Sequence, residues 1–155
     1  MADVELTDAQ VRALASIRQR LAACTQAGDA RRADAYADCF SADGVLQLES
    51  GPIEGRETIR AWMKAPSVIP PPGNGSPGFV SHHLTTCHVD FTGTDPAAPD
   101  RATARTYWMV TSAAGLDHNG FYVDHLVRDQ GRWLIARRAP RTLWISPESV
   151  LHKRD

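Results

Sequence analysis

Apolar residues recur at Val11, Leu14, Ile17 and Leu21, with Arg12, Arg18 and Arg20 on the other side. Spacings of three and four predict an amphipathic helix. Thr7-Asp-Ala-Gln10 precedes it and reads as a capping box, while Gly28 is its natural stop. Asp29 is placed to cap a second, short helix through Phe40, with Ala33, Tyr36, Ala37 and Phe40 as its inner stripe. Ser41-Ala-Asp-Gly44 then turns the chain into a short strand, Val45–Leu48, which Gly51-Pro52 breaks. A third helix is expected over about Arg56 to Lys64, with Ile59, Trp62 and Met63 as apolar positions. Residues 66–78 hold five Pro and three Gly among thirteen positions, so no regular element fits there. A loop this long inside one domain is expected to act as a lid. Beyond it the period falls to two. Phe79–Phe91, Arg101–Ala113, Phe121–Arg128 and Arg132–Ile145 read as strands. Asp129-Gln-Gly131 joins the last two as a tight hairpin with Gly where φ must be positive. Helices first and an antiparallel meander after them indicate an α+β fold, with three helices on one face of a curved sheet.

Composition narrows the class of function. The 155 residues suit one domain, here 1–155, and a chain of this length buries roughly 70% of its unfolded surface. Seventeen Lys and Arg balance eighteen Asp and Glu. Such a balance offers no footprint for a nucleic-acid backbone or an anionic membrane. No basic segment followed by an apolar run opens the chain, and no stretch is long and apolar enough to span a bilayer, so a cytoplasmic protein is expected. Cys24, Cys39 and Cys87 are odd in number and widely spaced, which suits buried free thiols rather than a disulfide framework or a zinc motif. His82, His83 and His88 lack the alternation that would put a metal-binding pair on one strand face, so no metal site is expected. Phosphate-loop, dinucleotide and nucleophile-elbow motifs are absent, so no cofactor is expected either.

Several local patterns occur in a telling order. Ala-Gly-Asp29 is followed by Phe40-Ser-Ala-Asp43, Gly55-Arg-Glu-Thr-Ile59, Ser-His-His83-Leu-Thr and Gly120-Phe-Tyr122-Val-Asp124-His-Leu. Asp129-Gln-Gly-Arg-Trp133-Leu-Ile-Ala-Arg-Arg138 completes the set. Over about residues 7–145 this order resembles the SnoaL-like branch of the nuclear-transport-factor-2-like superfamily. The resemblance implies a cone, a strongly bent sheet wrapped by three helices with an apolar pocket at one end. It also implies a homodimer through the outer surface of the sheet. Superfamily members range from ketosteroid isomerases, scytalone dehydratases and polyketide cyclases to non-catalytic subunits, so the fold does not decide the activity.

Individual positions therefore carry the functional reading. The isomerases' catalytic Tyr and general base correspond here to Leu21 and Leu48, which cannot move a proton. Asp124 corresponds to their oxyanion-hole acid and to the acid-base Asp of the cyclases. A carboxyl in an apolar cone has its charged form disfavoured, which would suit an acid. His83 shares strand parity with Phe79, Thr85, Cys87, Val89 and Phe91 and matches a catalytic His of scytalone dehydratase, so it is the candidate base. Tyr122 shares parity with Asp124 and is the third catalytic candidate. Trp62, Phe79, Tyr107 or its neighbour Trp108, and Arg141 are the candidates for holding substrate.

The expected protein is a small cofactor-independent enzyme. It would dehydrate, isomerise or cyclise a hydrophobic cyclic, polyketide-like or steroid-like molecule by acid/base catalysis. The competing expectation is a non-catalytic ligand-binding or auxiliary subunit, such as the small subunit of an aromatic-ring dioxygenase. Arg105 with Asp124 gives only a partial match to the Asp-Arg-Asp relay of an epoxide hydrolase.

Overall fold

Thr7 caps the first helix as its sequence signal predicts. In the computed structural model, which describes residues 5–67, 80–113 and 115–152, its hydroxyl accepts from the Gln10 N–H and the Gln10 side chain accepts from the Thr7 N–H. Helix α1 spans Asp8–Asp29 and buries Ala13, Ile17, Leu21, Cys24 and Ala27. Val11 was expected inside but is 51% exposed, because the buried stripe passes through Ala13 instead. The helix runs through Gly28, and the chain turns at Arg31, whose φ of 55° lies in the left-handed region. Helix α2 covers Ala33–Ala37 with Arg32 at its cap position, so Asp29 does not cap it. That carboxylate points elsewhere.

Strand β1, Phe40–Leu48, begins earlier than expected. Its antiparallel neighbour β2, Gly51–Glu54, occupies the stretch where Gly51-Pro52 predicted only a break. Proline is tolerated there because β2 is an edge strand. Helix α3 spans Arg56–Lys64, as its pattern predicts, and buries Ile59 and Met63.

The remaining strands are β3, Ser81–Phe91, β4, Arg101–Ser112, β5, Gly115–Asp129, and β6, Arg132–Ile145. They form a six-stranded sheet in the order β2-β1-β6-β5-β4-β3. All neighbours are antiparallel except β1 and β6, which run parallel. The β5–β6 turn places both Gln130 (φ 47°) and Gly131 (φ 80°) at positive φ, as a two-residue hairpin of the twist-compatible kind requires. β5 starts well before the expected Phe121, since the turn-like residues His118–Gly120 pair with both β4 and β6 and Leu116 pairs with β4.

The core lies between the helices and one face of the sheet. Ile17, Leu21, Phe40, Ile59, Leu126 and Ile135 are almost wholly closed to solvent there. Each such side chain contributes roughly 1.5–3 kcal/mol on burial. β4 alternates cleanly: Ala102, Ala104, Thr106, Trp108 and Val110 face inward, while Arg105, Tyr107 and Met109 face outward. Three helices on a curled mixed sheet make this an α+β fold, as expected. Residues 68–79, most of the expected lid and the candidate Phe79 among them, lie outside the described residues.

Candidate functional site

The inner face of the sheet gathers three acid–base pairs. The first joins the end of α1 to the start of β3. His82 Nδ1 lies 2.6 Å from Asp29 Oδ1, and the His82 backbone N–H donates to Asp29 Oδ2 at 2.8 Å. The carboxylate is held from two directions and fixes the ring in turn. With Nδ1 turned to a carboxylate, Nε2 is the nitrogen left to accept a proton. The His82 ring sits 6.1 Å from Trp108 and 6.2 Å, edge-on, from His118, centroid to centroid.

The second pair is Asp117 and His118, with Nδ1 and Oδ1 2.6 Å apart. These sequence neighbours are both buried because β5 carries an extra residue where it pairs with the end of β4. Asp117 also accepts from the Ser149 hydroxyl at 2.6 Å and the Val150 N–H at 3.0 Å, which ties the C-terminal segment to the sheet. Burial raises its pKa, but the bonds from Ser149, Val150, His118 and Ser112 outweigh it and hold the carboxyl below its usual range.

The third pair is Asp124 and Arg138, bridged by two parallel bonds of 2.8 and 3.0 Å. The guanidinium lies 4.2 Å over the Tyr122 ring and donates to Cys24 Sγ at 3.5 Å. Burial opposes the charge on Arg138, yet the Asp124 carboxylate overcomes it and keeps the side chain firmly protonated. Burial likewise pushes the Tyr122 hydroxyl up, so it stays neutral. Trp108 packs 5.7 Å from Tyr122, centroid to centroid. Among the described residues, Trp108 Nε1 and Thr25 Oγ1 are buried with no hydrogen-bond partner. Buried donors are rarely left so, and Trp108 Nε1 is a ready contact for an acceptor atom on a ligand beside His82. A cleft of about 430 Å³ opens between α1 and β3, lined by Leu21, Leu84, Cys87 and Thr106 among others, a size suited to a small molecule.

The expected joint site of His83 and Asp124 does not form. Thr85 and Thr86 together oppose Tyr107, a β-bulge that shifts the register between Leu84 and Cys87. Parity therefore inverts, and His82 and Leu84, not His83, share the inner face with Cys87, Val89 and Phe91. His83 is exposed on the outer face, with Nε2 3.2 Å from the Thr111 hydroxyl. Asp124 and Tyr122 do face inward together, but both Asp124 oxygens are occupied by Arg138. Of the substrate candidates, Trp108 is inside. Tyr107 is 41% exposed on the outer face, where Arg105 stacks on it and on Phe121. That placement puts Arg105 and Asp124 on opposite faces and removes the relay. Trp62 is 39% exposed on α3, its ring 6.5 Å from Tyr36, and Arg141 is exposed, donating to the Pro140 carbonyl. By sequence Asp29 has the character of a helix cap, and strand parity favours His83 over His82; the only signal for the couple is that an Asp ends one element and a His begins another.

Three solved structures are similar to this chain in fold. A protein of unknown function from Mycobacterium tuberculosis is 25% identical, with 89% of this chain and 76% of that chain covered and a TM-score of 0.72. A scytalone dehydratase-like protein from Novosphingobium aromaticivorans is 17% identical, with 91% of each chain covered and a TM-score of 0.72. The hexachlorocyclohexane dehydrochlorinase LinA-type3 from Novosphingobium barchaimii LL02 is 16% identical, covering 89% and 91%, with a TM-score of 0.69. No curated protein matches the chain. The model of the SnoaL-like domain matches residues 9–139, and the chain belongs to that family.

Proposed function

We propose that the protein is an acid/base enzyme that removes a proton from carbon in a small apolar molecule, with elimination as the reaction. The Asp29–His82 couple carries this reading. In the neutral tautomer set by Asp29, His82 Nε2 takes the proton, the C–H electron pair becomes a double bond, and the leaving group departs. Asp29 stabilises the imidazolium that forms. The Trp108 N–H supports this by offering a buried donor to an oxygen or halogen of the substrate. Two structural relatives, named for the removal of water and of hydrogen chloride, fit the same reaction class. Trp108 beside His82, and Leu21 and Leu84 in the cleft, suit a hydrophobic, cyclic substrate.

The test is a panel of cyclic β-hydroxy ketones and chlorinated cyclohexanes, followed by appearance of the alkene. The wild-type protein should turn over at least one class. His82→Ala should lose ~10²–10⁴-fold in kcat, the usual contribution of a general base. Asp29→Asn should lose activity by leaving the ring mis-set. Turnover unaffected by His82→Ala, or none across the panel, would contradict the proposal.

A further inference from the structure

An elimination that expels hydroxide needs an acid as well as a base, and a second Asp–His couple stands beside the first. His118 Nδ1 lies 2.6 Å from Asp117 Oδ1, the same contact that His82 makes with Asp29. The two imidazoles meet edge-on with ring centres 6.2 Å apart. Trp108 flanks both, 5.6 Å from His118 and 6.1 Å from His82, centroid to centroid. Each ring turns Nδ1 to a carboxylate, so Nε2 is the position at which each exchanges a proton. The proton removed and the group expelled sit on adjacent carbons, and rings this close can both touch one substrate.

The couples differ in how far water reaches them. The side chains of His82 and Asp29 are 26% and 14% exposed, so solvent shares in stabilising the Asp29 charge and the ring can rest neutral. The Asp117 side chain is wholly closed to solvent. It accepts from the Ser149 hydroxyl and the Val150 N–H, which are neutral donors. Among the described residues, His118 is the one basic side chain within ion-pair reach of it. A buried carboxylate with no cation beside it is costly, so the balancing charge falls on His118 as an imidazolium. An imidazolium carries a second N–H and can act as an acid.

We propose that His118 is the general acid of the elimination, giving its Nε2 proton to the leaving hydroxyl while His82 takes the proton from carbon. The assignment rests on the elimination proposed for His82 and completes its proton balance. His82 Nε2 takes the C–H proton, and the C–H electron pair becomes the second bond of the alkene. The C–O bond breaks with its pair on oxygen, His118 protonates that oxygen, and water leaves. His82 is then the cation and His118 the neutral ring. The released water passes the proton from His82 to His118, which restores the resting state with nothing else consumed.

The leaving group supplies the test. Hydroxide needs a proton to depart, whereas chloride does not. Wild type, His82→Ala and His118→Gln are each given a cyclic β-hydroxy ketone and the β-chloro ketone of the same skeleton, which yield the same enone. Every rate is corrected for the uncatalysed reaction. His118→Gln should lower the ratio of kcat for hydroxide loss to kcat for chloride loss by ~10²-fold, the scale of a general acid. His82→Ala should lower both rates and leave that ratio near its wild-type value. An unchanged ratio in His118→Gln would overturn the acid assignment. Both rates unchanged in His82→Ala would instead contradict the elimination itself, so the two failures are distinct. Nitrogen NMR of labelled histidine in the resting wild-type protein at neutral pH gives a reading that needs neither turnover nor a folded variant. His118 should carry protons on both ring nitrogens and His82 on one. A neutral His118 sinks the proposal.

Discussion

Asp124 and Arg138 are 0% and 2% exposed, and each holds the other's charge away from water. Removing one partner leaves the other buried and unpaired, a loss of ~3–5 kcal/mol. Asp124→Asn should therefore destabilise the fold by that amount in urea denaturation, and a change below ~1 kcal/mol would deny the pair its structural role. Asp117 gives a pH signature. Its folded pKa lies below that of an unfolded Asp, ~3.9, so its contribution is complete above that value and lost as pH falls through the folded pKa. Wild-type stability should drop on acidification below about pH 4 more steeply than that of Asp117→Asn. Asp117→Asn should also free the segment held through Ser149 and Val150, seen as faster amide exchange there. The inward placement of Tyr122, Asp124 and Trp108 could be read from alternation. What Asp124 does there could not, because its partner Arg138 is fourteen residues away, on the next strand.

Alternation works only where a strand is regular. β4 obeys it throughout, and β6 has the boundaries its pattern predicts. β3 departs at Thr85-Thr86, two good strand formers with no glycine or proline to mark a bulge. A single extra residue reverses every later side chain, and this exchanged His83 for His82. β5 begins earlier than expected for a related reason: Asp117, Asn119 and Gly120 are turn formers by type, yet Asp117 is the bulge residue and the other two pair with β4. At Gly120 a β-carbon would meet the Arg141 carbonyl and come within 2.6 Å of Trp108 Cζ2. Gly120→Ala should cost about 1–3 kcal/mol and displace the indole. Thermal unfolding with tryptophan fluorescence checks this, and an unchanged midpoint and spectrum would contradict it.

The sheet has one face that encloses the paired acids and bases and another that leaves Tyr107, Met109 and Trp144 exposed. So much apolar surface suits the homodimer that the family resemblance implies. Sedimentation should show two copies, and Trp144→Glu should shift the protein toward one copy; a wild-type monomer would contradict this. Among the described residues no helix is long and apolar enough to cross a membrane. Helices first, sheet after, and the concave packing between them were apparent from periodicity alone, since they depend on many residues at once. The site depends on a handful of residues brought together from α1, β3, β4 and β5, and on which face each one takes. The most direct test of that arrangement compares His82→Asn with His83→Asn in kcat/KM on a substrate the wild type turns over. The expected result is a loss of ~10²-fold or more for His82→Asn and a change within about twofold for His83→Asn. Equal losses, or a loss at His83 alone, would contradict the assignment of His82 as the base.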